Sequence, residues 1–442
     1  MSSSGCYARV FVTSLIKLSG LADAQADSDE AQADSDEAAP NALRILAGQC
    51  DEQRPSGLYV HFPFCGARCP YCDFAIDVRP EIPHDRYAQA VCAEIVARAP
   101  HFRTASPPVS AYFGGGTPGL WRPDCIASVL ATAARAFAIP DLSALEITVE
   151  ANPGEVTELH LAALRAVGVN RLSFGIQSFD DALLREIGRT HTVAHAQAAI
   201  PLARAVGFSN IACDLMFGLP GQTLLQWQQT LRLAAAAGPD HLSCYALTIE
   251  PFTPFGQREK KGQLSRPDDD AVAEMWDVAQ ATLATAGFEH YEVSSYAQPL
   301  ARAVHNSLYW TQAAYLGVGC AAASFRPMAG GGGWRFINPR SAESYMRGSL
   351  SASGEVAAAQ VEWRSSDDLE GEALWLALRT SDGLDRARHR ELFGADPLHS
   401  ATRNQTAQAL QRAGWLTISP AYLRPTPAGL LFADEMASRL WA

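Results

Sequence analysis

At 442 residues and 48% hydrophobic side chains, the chain has material for two or three packed units rather than one. Its formal charge of −12 argues against nucleic acid or an anionic membrane surface as the main partner. Its ten cysteines, three clustered and seven scattered, do not form a secreted disulfide framework, and no apolar run is long enough to span a bilayer, so a reducing, cytoplasmic setting is expected.

Residues 1–54 read as a disordered, acidic, low-complexity tail. The heptad Ala24-Gln-Ala-Asp-Ser-Asp-Glu30 recurs at once over 31–37, without an aromatic or large aliphatic anchor. Such a segment cannot bury enough apolar surface to offset its conformational entropy. Residues 1–19 are Ser-rich, with Arg9 and Lys17 but no acid. That pattern fits either a ragged start or an organelle transit peptide.

A strand is expected over 57–62, directly followed by Cys65-Gly-Ala-Arg-Cys69-Pro-Tyr-Cys72. The spacing is too tight for a domain-wide disulfide frame and one thiolate short of a closed zinc site. Three soft ligands in eight residues suit an iron–sulfur cubane with one iron left open. A zinc site completed by a distant residue, or three unrelated thiols, are the alternatives. With Tyr71 just before the last cysteine, the run resembles the signature of the radical SAM superfamily. The resemblance implies a [4Fe–4S] cluster on Cys65, Cys69 and Cys72, its open iron chelated by S-adenosylmethionine (SAM), which an electron from the cluster can cleave.

Over 55–300 short apolar runs alternate with Ala- and Leu-rich stretches of helical period. Strands are expected at 109–113, 145–150, 171–176, 210–217 and 241–249, and helices at 87–99, 123–137, 157–167, 193–206 and 224–237. Six such units predict an α/β fold with a parallel sheet, an incomplete (βα)6 barrel with its chemistry at the carboxyl ends of the strands.

The polar motifs fall at those ends. Phe113-Gly-Gly-Gly-Thr-Pro118 gives a backbone that can approach a ligand closely. In Glu146-Ile-Thr-Val-Glu-Ala-Asn-Pro153, alternation puts Glu146, Thr148 and Glu150 on one side, with Glu150 nearest the rim. Gln177 ends the fourth strand, Arg189 follows in Leu184-Arg-Glu-Ile-Gly-Arg-Thr-His191, and Asp214 lies inside the apolar fifth strand, where a charge is costly unless paired or ligand-bound.

In order from Tyr59 to Ser324, the set resembles the oxygen-independent coproporphyrinogen III oxidase family, which holds an oxidase branch and a heme-chaperone branch. The resemblance implies SAM contacts from Tyr59, Tyr71, Gly115, Gly116, Thr117, Glu150, Gln177, Arg189 and Asp214. The oxidase branch carries a further cysteine two residues past the third ligand, where this chain has Phe74, and an ordered N-terminal extension where this chain has the acidic repeat. His305-Asn-Ser-Leu-Tyr-Trp310 matches a segment of the chaperone branch linked to heme, making His305 a candidate heme ligand. The alternative is that His305 caps a turn and Tyr309 and Trp310 pack in the core.

The resulting expectation is a chaperone that holds heme and passes it to an acceptor hemoprotein, a transiently met membrane protein among the candidates. No residue is assigned a catalytic role, and any SAM cleavage is secondary. The competing readings are anaerobic coproporphyrinogen III oxidation and another radical SAM reaction. Residues 301–364 are expected to hold the heme motif and a linker, with a flexible loop at 330–333. Residues 365–442 are expected to form a separate α+β module, three helices and a small hairpin resembling a winged helix and the C-terminal domain of the same family. Cys92, Cys125, Cys213, Cys244 and Cys320 are read as ordinary thiols.

Overall fold

The computed structural model describes residues 50, 51, 53–351 and 359–441, so the acidic repeat and the 1–19 segment lie outside the described residues. Strands β1 (Ser56–Phe62), β2 (Ser110–Gly115), β3 (Glu146–Ala151), β4 (Arg171–Gln177), β5 (Asn210–Phe217) and β6 (His241–Ala246) pair in parallel in chain order. Helices α1 (His84–Arg98), α2 (Pro123–Ala136), α3 (Glu158–Ala166), α4 (Asp181–Glu186), α5 (Val193–Ala205) and α6 (Leu224–Ala236) lie between them. Leu58, Val60, Phe62, Phe113, Val149, Leu172 and Phe217 fill the core beneath the helices with Trp121 and Trp227. Thr157, Thr192 and Thr223 cap α3, α5 and α6, each accepting a backbone N–H of the first turn, and so fix where these helices begin.

The six-unit barrel is therefore present, with boundaries within a few residues of those expected. The sixth strand stops at Ala246 rather than at 249. Leu247 makes one more rung to the carbonyl of Phe217, and β5 then turns away at Gly218, φ +70°.

Beyond β6 come α7 (Pro254–Lys260), α8 (Asp269–Thr285), β7 (Glu289–Glu292), β8 (Ser295–Ala297), α9 (Val304–Trp310), β9 (Ala314–Val318), β10 (Ala323–Pro327), β11 (Gly333–Ile337), α10 (Ala342–Ser349) and β12 (Gln360–Arg364). Here the structure corrects the expected linker. β9 pairs in parallel with β1, and β10, β11 and β12 extend the same sheet antiparallel, so 301–364 is continuous with the barrel. The full order is β12-β11-β10-β9-β1-β2-β3-β4-β5-β6-β8-β7, twelve strands open at both ends. The 330–333 glycines make the β10–β11 hairpin turn, closed by the Met328 N–H donating to the Gly332 carbonyl at 3.1 Å.

The last unit holds α11 (Ser366–Ala377), β13 (Leu384–Asp385), α12 (Arg386–Phe393), α13 (Ala401–Arg412), β14 (Leu416–Ile418), β15 (Tyr422–Pro425), α14 (Pro427–Leu430) and α15 (Ala433–Trp441), with its own three-stranded sheet ordered β13-β15-β14. Its core of Leu374, Leu378, Leu410, Leu423, Met436 and Leu440 is distinct from that of the barrel. It is nevertheless docked: the N–H of Val293 donates to the Arg379 carbonyl at 3.0 Å, and that of Ser381 to the Tyr291 carbonyl at 2.9 Å, covering the edge strand β7. No helix among the described residues is long and apolar enough to cross a membrane.

Candidate functional site

The loop between β1 and α1 carries the three cysteines over the carboxyl ends of the parallel strands. Its base is clamped by the Cys65 N–H donating to the Asp77 carbonyl (3.1 Å) and the Asp77 N–H donating to that of Pro63 (2.8 Å). Its far side is pinned by the Phe255 N–H to the Pro70 carbonyl, 3.0 Å, and Tyr71 packs with its ring 6.5 Å from that of Phe255. All three cysteines are unpaired and half-buried. Burial pushes the thiols of Cys65 and Cys72 up to about 11, a cost that a bound metal offsets by holding the thiolate. Three soft thiolates, one short of a closed zinc site, fit an iron–sulfur cluster with one iron left open, which Cys65, Cys69 and Cys72 would hold.

Most residues expected at the SAM site converge beside those cysteines. Glu150 accepts hydrogen bonds from the Tyr112 hydroxyl (2.7 Å) and the Gly115 N–H (3.1 Å), and burial pushes its carboxyl up to about 7. The Tyr59 hydroxyl lies 3.1 Å from Nδ1 of His61, whose Nε2 is 3.1 Å from the Ala75 carbonyl. Gly115 takes φ +113°, and a Cβ there would sit 2.5 Å from the His61 ring, so glycine is required on both counts. The Gly116 N–H donates to the Phe62 carbonyl at 2.7 Å, and the Thr117 hydroxyl reaches Cys65 Sγ at 3.6 Å. Gln177 follows a register shift in β4 and has φ +65°, which turns its side chain out of the ladder. Arg189 crosses to Cys69 Sγ, 3.7 Å, made possible by Gly188, where a Cβ would sit 2.6 Å from Pro70. Asp214 lies one strand away, accepting from the Ser173 hydroxyl at 3.1 Å, and burial pushes its carboxyl upward.

His305 is inside the protein. Its side chain is 1% exposed, with Nδ1 2.9 Å from the Ser110 hydroxyl and Nε2 2.9 Å from that of Tyr309, and its ring stacks on Tyr112 at 5.1 Å. Burial lowers its pKa to about 3, so the imidazole is neutral, the form that ligates iron. Both nitrogens are engaged at rest. Glu146, which shares a strand face with Glu150, does not reach the cysteine loop; it accepts the N–H groups of Val304 and His305 at the start of α9.

A cavity of about 1120 Å³ opens between these parts, larger than most small-molecule sites of ~300–1,000 Å³. Its inner wall includes Tyr59, Tyr112, Glu150, Tyr245, His305 and Tyr309. Its mouth is lined by Cys72, Phe74, Phe252, Trp310, Arg340 and Leu431, so the cysteine loop, α9 and the C-terminal unit all contribute. Sequence reasoning missed His61, Tyr112, Asn152, Glu292 and the C-terminal contribution. His61 and Tyr112 carried a signal, being polar rings inside apolar strands.

The pattern of the Radical SAM superfamily matches residues 59–234, and that of the HemN C-terminal domain matches residues 365–432. The chain is 32% identical over 418 residues to the heme chaperone HemW of Synechocystis sp., covering 88% of this chain and 97% of that protein. It is 35% identical over 399 residues to the mitochondrial radical S-adenosyl methionine domain-containing protein 1 of Bos taurus, covering 86% of each. Among solved structures, coproporphyrinogen III oxidase (HemN) from Escherichia coli, described as a radical SAM enzyme, superposes with a TM-score of 0.75 at 25% identity, covering 90% of this chain and 92% of that one.

Proposed function

This chain belongs to the heme chaperone HemW family within the radical SAM superfamily, and from that premise we propose that it binds heme and hands it to an acceptor hemoprotein. The observation that carries this reading is the cavity joining the cysteine loop to the His305 segment, with space and aromatic walls for a flat macrocycle. Phe74 supports it: where the oxidase branch would place a further cysteine, an apolar ring lies at the cavity mouth, 43% exposed. Cys65, Cys69 and Cys72 would hold a [4Fe–4S] cluster. Tyr59, Tyr71, Gly115, Gly116, Thr117, Glu150, Gln177, Arg189 and Asp214 would surround SAM on its open iron. The bound pair supplies one-electron chemistry when present; the chain supplies a recessed, pre-ordered rim. His305 is the proposed heme ligand, and ligation requires it to exchange one of its two hydroxyl partners for iron. Transient docking on a membrane-protein acceptor and a cytoplasmic location complete the proposal.

The second reading is the oxidase itself, favoured by the 0.75 superposition on coproporphyrinogen III oxidase. One experiment separates them. The anaerobically reconstituted protein is titrated with heme, then supplied with coproporphyrinogen III, SAM and a reductant. Saturation near one heme per chain with no decarboxylated product supports the chaperone. Turnover to protoporphyrinogen replaces it with the oxidase.

A further inference from the structure

A hydrogen-bonded arc joins two of the three cysteines across three strand ends. Arg189 directs Nη1 to Cys69 Sγ at 3.7 Å and donates from Nη2 to Asn152 Oδ1 and to the Gly175 carbonyl, the latter at 2.8 Å. Asn152 in turn donates from Nδ2 to Thr117 Oγ1 at 3.2 Å and to Glu155 Oε2 at 2.8 Å. Thr117 donates its hydroxyl to Cys65 Sγ at 3.6 Å.

The orientation of Asn152 is fixed by its neighbours, because a flipped amide would turn its N–H groups against the guanidinium. Asn152 therefore occupies a lone pair of the Thr117 oxygen. A hydroxyl has a single proton, and with an N–H donor on its oxygen that proton is left for the sulfur. Thr117 is 3% exposed, so water does not compete for it.

We propose that Asn152 is a positioning residue that aims hydrogen bonds from Thr117 and Arg189 at the sulfurs of Cys65 and Cys69 and thereby raises the reduction potential of the cluster they hold. A reduced cluster carries one more negative charge, and donors to its thiolates stabilise that state over the oxidised one. The inference rests on the cluster reading and goes beyond it by assigning a tuning role to a residue that touches no sulfur.

The test is an anaerobic redox titration of the reconstituted protein, followed by electron paramagnetic resonance, with iron content measured on every sample. Thr117→Val is expected to lower the midpoint, favouring the oxidised form by about tenfold at fixed potential, or about 59 mV for a one-electron couple. Thr117→Ser, which keeps the donor, is expected to restore it. Asn152→Ala is expected to shift the midpoint the same way, and by less in the Thr117→Val background, because one of its two arms runs through that hydroxyl. An unchanged midpoint in Thr117→Val at full iron content overturns the proposal, as does an equal shift in Thr117→Ser. Should Thr117→Val not retain iron, Asn152→Ala decides alone, and an unchanged midpoint there overturns it. Wild-type protein that binds no cluster would instead sink the cluster reading.

Discussion

The backbone N–H of His305 donates to the Glu146 carboxylate at 3.0 Å, and the same carboxylate takes the Val304 N–H at 3.1 Å. A side chain at the start of β3 thus caps α9, 158 residues later in the chain, and sets where the His305 ring stands between Ser110 and Tyr309. The same carboxylate lies 3.8 Å from the buried Arg171 guanidinium, so removing it takes away both the cap and a buried counter-charge, about 3–5 kcal/mol together. Glu146→Ala should lower unfolding stability by about that much and weaken heme binding, while iron content stays at the wild-type level. Heme titration beside a urea unfolding curve checks it; unchanged heme affinity would mean that α9 is held by packing alone.

Cys69 stands at the centre of the loop, with its carbonyl accepting the Cys72 N–H at 3.2 Å and its sulfur facing Arg189. Cys69→Ala removes one of three ligands and should abolish the visible absorption of the reconstituted protein and its bound iron. Retention of both would remove the cluster from the account.

The parallel half of the sheet was legible because its strands are covered on both faces and read as near-continuous apolar runs separated by helical periods. The cysteine loop was legible because its chemistry is local. β7 and β8 were not: Glu289–Glu292 is mostly polar and Ser295–Ala297 has three residues, so both are strands by virtue of their neighbours rather than their own pattern. The same holds for β9 to β12, where short runs broken by glycines read as linker until β1 supplies an edge for β9. Within the site, alternation correctly put Glu146, Thr148 and Glu150 on one face, and Thr148 and Glu146 both lie beside the buried Arg171. Alternation could not tell which carboxylate meets the rim and which meets a helix far away in sequence. Gln177 gave no signal for φ +65°, since glutamine is not a residue that selects such a turn.

Glu372 on α11 ties the C-terminal unit to the sheet. It pairs with Arg335 of β11 at 2.5 Å and Arg364 of β12 at 2.7 Å, and its side chain is 8% exposed. Replacing it takes the carboxylate partner from Arg335 and leaves Arg364 with Glu362 alone, at 2.8 Å. Glu372→Ala should cost about 3 kcal/mol and split unfolding into two transitions, the C-terminal unit first. A single, unshifted calorimetric transition would count against the pair as the tether.

Acid should destabilise the SAM-free protein across pH 6.5 to 4.5. Burial lowers His61, His191 and His290 to about 4 and His305 to about 3, so the unfolded chain binds their protons at 6.5 while the folded chain does not. Their contribution is complete above 6.5 and is lost as pH falls. Glu150 and Glu292, raised by burial to about 7, act in the opposite sense, since the folded chain holds their protons where the unfolded chain releases them above 4.5. His84, His160, His241 and His389 are lowered by burial as well, and Asp214 is raised by it, so the histidines outnumber the carboxyls across that window. Urea midpoints should therefore fall steadily from pH 6.5 to 4.5; a flat or rising trend would show that the carboxyls dominate.

The sharpest test of His305 as a heme ligand uses the hydroxyls that now occupy its ring. If Nε2 binds iron, the bond to Tyr309, 2.9 Å, must first open, and its net worth is about 1 kcal/mol. Tyr309→Phe removes that competitor while keeping the ring that packs edge-on to Tyr315, with centroids 4.8 Å apart. Heme affinity should then rise by about fivefold. Ser110→Ala should produce the same gain if Nδ1 is the ligating atom, because that nitrogen is held by the serine hydroxyl instead. His305→Ala should lose at least tenfold in affinity and shift the heme absorption spectrum, an effect that neither hydroxyl variant reproduces. The pattern across the three variants therefore names the nitrogen as well as the residue. If all three bind heme with wild-type affinity and spectrum, His305 is a buried packing residue and the iron is held elsewhere on the cavity wall.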